Sequence, residues 1–242
     1  MKDRYERQRL LREIGDRGQE RLLSSSVTII GCGALGCAQA QLLVRAGVGS
    51  LRVVDRDVVE LGNLHRQIIF DEQDVAEGLP KAEAAAGKLR LMNRDVRIEP
   101  VVLDVNADNV RDVIGEPDLV LDATDNTETR YLMNEACVEK GTPWIYGGVL
   151  GTEGLMLPVL PGRGPCLRCL FPEAPPPGAV PTCESMGVIN TAPVLVAALQ
   201  ATMAVRMLVG SPPEPRLTIV DLWAPEMRQI EIEREPSCVC CG

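Results

Sequence analysis

"VTIIGCGALGCAQAQLL" (residues 27–43) begins as an apolar run, passes through three spaced glycines and continues in helix-forming residues. The β-branched residues Val27, Thr28, Ile29 and Ile30 favour a strand, and Ala34–Ala46 carries a helical pattern. Gly31, Gly33 and Gly36 fit G-x-G-x-x-G, a turn that brings backbone N–H groups to a phosphate at the positive end of a helix. The next apolar run, LRVVD, ends in Asp55, an acid suited to ribose hydroxyls. The stretch therefore decides for a nucleotide-binding α/β fold. It leaves NAD, a flavin and ATP open.

Outward from this unit, DLVLDATD (118–125), PWIYGG (143–148) and RIEPVVLDV (97–105) read as further strands. Helical patterns at Lys81–Met92 and Thr127–Glu139 separate them. Such alternation predicts a Rossmann-like, mostly parallel twisted sheet with helices on both faces. After Gly147, GLMLPVL (154–160), RLTIVDLW (216–223) and MRQIEIE (227–233) predict an antiparallel C-terminal extension. FPEAPPPGAVPTCES (171–185) is too rich in proline for regular helix or central strand. With no internal repeat and no long linker, residues 1–242 are expected to form one domain. Its parts are a helical-looking segment (1–24), a nucleotide-binding core (25–150) and a metal- and partner-binding part (151–242).

Composition narrows the function. A net charge of −9 argues against a large nucleic-acid face. Residues 1–23 lack the charged-then-apolar pattern of a secretory signal, and the apolar stretch 192–210 is interrupted by Gln200 and Arg206. That stretch reads as a buried or interface helix, not a membrane span, and the expected address is the cytoplasm. Nine cysteines without a secretory signal point away from a disulfide framework.

Beyond the turn, DRDVVELGNLHRQIIF (55–70) supplies Asn63, Arg66 and Gln67, and Lys81 follows. His65 is the one histidine of the chain and sits among polar neighbours, which suits a solvated side chain better than a proton relay. An arginine and a lysine after a phosphate turn suit a triphosphate, whose reaction needs charge neutralisation and alignment more than a base. Cys166/Cys169 and Cys238/Cys241 form two C-x-x-C pairs, which together fit a closed tetrahedral Zn²⁺ site better than a redox motif. Cys240 stands beside the second pair as an alternative ligand or a spare thiol.

RYERQ (4–8), GCGALG (31–36), DRDVVELGNLHRQ (55–67), LPKAEAA (79–85), DATDN (122–126), PCLRC (165–169), PTCESMGV (181–188) and SCVCCG (237–242) together resemble the MoeB/ThiF/HesA family, bacterial relatives of the ubiquitin-activating enzymes. The resemblance runs in order through nearly the whole chain. It implies ATP-dependent adenylation of the C-terminal glycine of a ubiquitin-like sulfur carrier of ThiS or MoaD type, ending in Gly-Gly. It also implies a homodimer. Carried over by position, Asp55 would hold ribose, and Asn63, Arg66 and Lys81 the phosphates. Asp125 would organise Mg²⁺ and the α-phosphate, and Gln67 and Asn126 count with the nucleotide-binding residues. Arg7 would reach the ATP of the partner subunit. Cys183 stands where ThiF-type proteins carry a sulfur-transfer cysteine, although MoeB-type proteins carry one there too without clearly depending on it. Because the chain ends at Gly242 with no sulfurtransferase domain, the sulfur donor is expected to be a separate protein. The competing readings are an NAD-dependent oxidoreductase and a non-catalytic nucleotide-sensing module.

Overall fold

The alternation of strand and helix takes the following form in the computed structural model, which describes residues 4–176 and 182–242. The helical-looking segment holds a short helix α1 (Glu6–Arg9) and, after a turn, α2 (Gly15–Ser24). Next come β1 (Ser26–Ile30), α3 (Ala34–Ala46), β2 (Ser50–Val54), α4 (Glu72–Glu77), α5 (Lys81–Met92) and β3 (Arg97–Val101). The chain continues through α6 (Val110–Ile114), β4 (Leu119–Asp122), α7 (Thr127–Lys140), β5 (Trp144–Leu150) and β6 (Glu153–Val159). It closes with α8 (Leu167–Leu170), α9 (Cys183–Met186), α10 (Thr191–Leu208), β7 (Arg216–Asp221) and β8 (Glu226–Glu231).

The strands form one eight-stranded sheet in the order β3-β2-β1-β4-β5-β6-β7-β8. The first five pair in parallel, and β6, β7 and β8 add the expected antiparallel flank. Period-two alternation sends neighbouring residues to opposite faces. On β4, Leu119 and Leu121 join a core beneath α3, α5 and α10, while Val120 joins a second core with α6, α7, Trp144 and Leu167. All four β4 residues are therefore buried, as a central strand covered on both faces requires.

Glycines in the left-handed region end two of the longer helices. Gly47 follows α3 at φ 84° and Gly141 follows α7 at φ 71°, each returning its N–H to the last turn. The apolar α10 lies against α3, β5 and β6. Its mid-helix Gln200 is fully buried and donates to the carbonyls of Asp122 and Ile145, which fits a helix built into the core.

The proline-rich stretch differs from expectation at its end. Residues 177–181 lie outside the described residues, but beyond them Thr182 caps the single-turn helix α9, its side chain accepting from Ser185 N–H. The prolines stop at 181, so nothing in the following residues forbids a turn of helix.

Strand order reverses between β1 and β4, where the connections diverge to opposite sides. In an open α/β sheet that reversal leaves a crevice at the carboxyl ends of the strands. Both the glycine turn after β1 and the DATDN loop after β4 open into it.

Candidate functional site

The glycine turn and the loop after β4 touch. Gly31 has φ +98°, and a Cβ there would come within 2.4 Å of the Ala123 carbonyl oxygen. A Cβ on Gly36 would come within 2.2 Å of the Gly31 carbonyl, so the missing side chain lets α3 seat against the turn. Asp55, just past β2, accepts the Cys32 N–H at 2.6 Å and the Asp57 N–H at 2.8 Å. It thereby ties the turn to the strand end. Burial raises the Asp55 carboxyl above the ordinary aspartate value, against the pull of those two N–H donors and Lys81.

Lys81 opens α5 and is buried, and one residue holds both its ends. Its N–H donates to the Asp57 carbonyl at 2.8 Å, and its Nζ to Asp57 Oδ2 at 2.9 Å. Burial alone would lower the lysine, but the Asp57 hydrogen bond and the carboxylates of Asp55, Asp57 and Asp125 outweigh it and keep the ammonium charged. Arg66 donates through Nη2 to Asn63 Oδ1 at 2.7 Å. Gln67 is buried, its Oε1 has no hydrogen-bond partner among the described residues, and its Nε2 lies 3.8 Å from the Cβ position of Gly33. A buried amide with a free acceptor beside the glycine turn points toward the place of a ligand. His65 is exposed and, among the described residues, meets only the Gly62 carbonyl.

Asp125 is exposed and makes no hydrogen bond or ion pair with the described residues, leaving both its oxygens available. Asn126 is committed differently: its Oδ1 accepts the Thr129 N–H at 3.2 Å and caps α7. Cys183 is half-buried, with its Sγ 3.4 Å from the Val149 carbonyl. Burial pushes its thiol above the ordinary cysteine value, with Arg66 opposing, and Asp125 and Arg130 are close enough to act on it.

Arg7 is not brought to this crevice. Its neighbour Gln8 donates to the Ala46 carbonyl at the far end of α3. With 13 residues, α3 spans about 20 Å from the glycine turn to that point. Arg7 itself is exposed and has no ion pair among the described residues.

Sequence reasoning missed four residues beneath the crevice. Asp122 is fully buried and pairs with Arg130 Nε at 3.0 Å, while Gln39 and Gln200 both donate to the Asp122 carbonyl. Arg130 carried one signal: it stands one turn inside the start of α7, at the positive end of the helix, where a cation is unfavourable unless something else holds it. Burial works against its charge, and Asp122 more than compensates, so the guanidinium stays above its ordinary value.

A second candidate centre lies on the α7 side. The Sγ atoms of Cys166, Cys169, Cys238 and Cys241 all lie within 4.8 Å of one another. Cys166–Cys238 and Cys169–Cys241 are 3.7 and 3.5 Å apart. Four thiolates about 2.3 Å from a zinc ion would be spaced about 3.8 Å apart, so the donor set and its dimensions fit that metal. Cys240 is outside the quartet, its Sγ accepting from Asn134 Nδ2 at 3.1 Å. This geometry selects Cys241 over Cys240. Disulfides are absent from all nine cysteines.

The profile described as the ThiF family matches residues 5–240. The chain is 43% identical over 244 residues to the sulfur carrier protein ThiS adenylyltransferase of Bacillus subtilis, covering 100% of this chain and 72% of that protein. It is 44% identical over 242 residues to the SAMP-activating enzyme E1 of Haloferax volcanii, covering 99% and 88%. Among solved structures, E. coli MccB with ATP superposes with a TM-score of 0.86 at 22% identity, covering 100% of this chain and 75% of that one. At that identity the likeness speaks for the fold alone.

Proposed function

The chain belongs to the ThiF family, and from that premise we propose that it adenylates the C-terminal glycine of a ubiquitin-like sulfur carrier of ThiS or MoaD type. The observation that carries the reading is the pairing of a glycine phosphate turn with Lys81 and Arg66, while the one histidine is exposed and, among the described residues, engaged only with the Gly62 carbonyl.

An α-carboxyl titrates at about 3.5, so the incoming carrier carboxylate is already ionised at neutral pH and needs no base. Its oxygen bonds to the α-phosphorus of ATP, the bond from that phosphorus to the bridging oxygen breaks, and pyrophosphate leaves with the electron pair. No proton moves. The obstacle is an anion meeting a polyanion, and the chain answers it with fixed charge. N–H groups of the Gly31–Gly36 turn and the start of α3 face the phosphates, Asp55 holds ribose, and Lys81, Arg66 and Asn63 take phosphate oxygens. Gln67 offers its free amide oxygen at the edge of the turn, and Asn126 contributes by fixing the start of α7. Asp125 would hold Mg²⁺, which when bound neutralises phosphate charge. The Cys166, Cys169, Cys238 and Cys241 quartet would hold a structural Zn²⁺ remote from the reaction. A nucleophilic sulfur of a separate donor protein then bonds to the acyl carbon, the bond from that carbon to the AMP oxygen breaks and AMP leaves with the electron pair, with Cys183 close to Arg66 and Asp125 and available for the transfer. The reading also takes the chain as one adenylation domain working in the cytoplasm, which its nine unpaired cysteines suit.

ATP–pyrophosphate exchange tests this. Exchange is expected only when a carrier ending in Gly-Gly is added, and it disappears when the terminal glycine is deleted. Cys183→Ser keeps exchange and loses thiocarboxylate formation. Exchange that runs equally without carrier, or NADH oxidation in its place, would overturn the reading.

The far position of α1 supports a homodimer in which Arg7 serves the neighbouring subunit's nucleotide. Arg7→Ala and Lys81→Ala proteins are each expected to be nearly inactive. A mixed heterodimer has one intact site of two, and half of randomly exchanged dimers are mixed. Equal mixing should therefore restore roughly a quarter of wild-type exchange activity, as two-fold symmetry dictates. No recovery after demonstrated subunit exchange would rule out a shared site.

A further inference from the structure

We propose that Arg130 is a positioning residue that, together with Asp122, fixes the peptide plane leading into Asp125. The proposal rests on the adenylation reading for what Asp125 does, but the hold on the loop is independent of it. The Thr124 residue is gripped on both sides. Its N–H and Oγ1 donate to Asp122 Oδ1, both at 2.9 Å, and its carbonyl accepts Arg130 Nη2 at 2.6 Å. That carbonyl belongs to the peptide bond joining Thr124 to Asp125. Rotating this peptide would swing the Asp125 side chain, and Arg130 prevents the rotation.

The grip is anchored to the sheet. Arg130 Nη2 also donates to the Gly147 carbonyl on β5 at 3.0 Å, and its Nε pairs with Asp122 Oδ2, which also accepts the Gly147 N–H at 3.3 Å. The guanidinium lies 5.3 Å from the Tyr146 ring centroid. From the other face, Gln39 and Gln200 fix the Asp122 carbonyl at 3.0 Å each. Only a planar fork with several N–H groups can serve a carboxylate and two carbonyls together. Burying an ion pair yields little net stability compared with apolar packing, and a cation near a helix start works against the helix dipole. What the arrangement supplies is therefore geometry at Asp125.

The test uses the full chain with a Gly-Gly carrier. Arg130→Lys keeps the charge that Asp122 needs and should fold, but its single Nζ cannot pair with the Asp122 carboxylate and also hold the two carbonyls that Nη2 binds. Its kcat for exchange should fall by about 10²-fold, the cost of a roughly 1 Å misplacement, with the KM for ATP nearly unchanged. The amides of Thr124 and Asp125 should exchange with deuterium at least about tenfold faster, with those in the last turns of α7 unaltered. Because Arg130 acts through Asp125, the Asp125→Ala/Arg130→Lys protein should be no slower than Asp125→Ala alone. Wild-type kcat in Arg130→Lys, unchanged Thr124 exchange, additive losses or an unfolded Arg130→Lys protein would each overturn the proposal. Absence of carrier-dependent exchange in the wild type would instead sink the adenylation reading, leaving the deuterium measurement to decide the role of Arg130.

Discussion

Asp125→Ala should lower carrier-dependent ATP–pyrophosphate exchange by about 10²–10³-fold, the loss typical when one preorganised electrostatic contact to a transition state is removed. The expectation follows from what Asp125 does not do. It is exposed at the end of a central strand and makes no hydrogen bond or ion pair with the described residues, so its loss costs the fold almost nothing. Substitutions of that kind change stability by about 0.5 kcal/mol or less, or roughly 1–2 °C in a chain of this size. Lys81→Ala is the informative contrast. Lys81 is buried and held at both ends by Asp57, so its removal leaves an acid facing the phosphates as well as deleting a cation. It should raise the KM for ATP and lower kcat, whereas Asp125→Ala should act chiefly on kcat and on the Mg²⁺ requirement. Full exchange in Asp125→Ala protein with an unchanged melting point would mean that the carboxylate is a turn residue and nothing more.

Much of this was legible in the sequence, because local chemistry fixes it. The bounds Ala34–Ala46 and Lys81–Met92 emerge as read, since Gly33 and Gly47 flank the first helix and Pro80 precedes the second. The two C-x-x-C pairs were legible because each spacing already puts two thiols where they could share one metal ion. The choice between Cys240 and Cys241 was not. Adjacent residues differ only in the direction their side chains take, and Asn134, a residue 106 positions away, claims Cys240. The same holds for Arg130. Its partner Asp122 looks like an ordinary strand-end acid until the sheet buries it between β1 and β5. Gln39 and Gln200 stand 161 positions apart and meet only because α3 and α10 pack together. The resemblance already gave Arg7 to the partner's nucleotide, but which end of α3 its segment sits against was hidden, because the Gln8 hydrogen bond to the Ala46 carbonyl spans 38 positions. Local turns, caps and ligand pairs are written in neighbouring residues, and the supports beneath the site are written in tertiary contacts.

The other large effect concerns stability. Cys166→Ser should lower the melting temperature by roughly 6–20 °C, taking the quartet as a cross-link worth about 3–5 kcal/mol in a chain of this length. The quartet joins the loop before α8 to residues 238–241, beyond the last strand, and so closes a segment of about 70 residues. Cys166 itself is buried beside Leu167 in the core that holds Trp144, Tyr146, Met133 and Leu217. Releasing it therefore loosens one face of the sheet as well as the chain end. Metal analysis should find about one Zn²⁺ per chain, the occupancy of one Cys₄ site, and Cys240→Ser should leave that content unchanged because Cys240 faces Asn134. Chelation of the wild-type protein should reproduce most of the Cys166→Ser shift. Exchange activity per folded molecule should change far less than stability, since none of the four cysteines touches the glycine turn, Lys81 or Asp125 in the described contacts. A protein purified without metal, and equally stable with or without chelator, would show that the four thiols meet for packing alone.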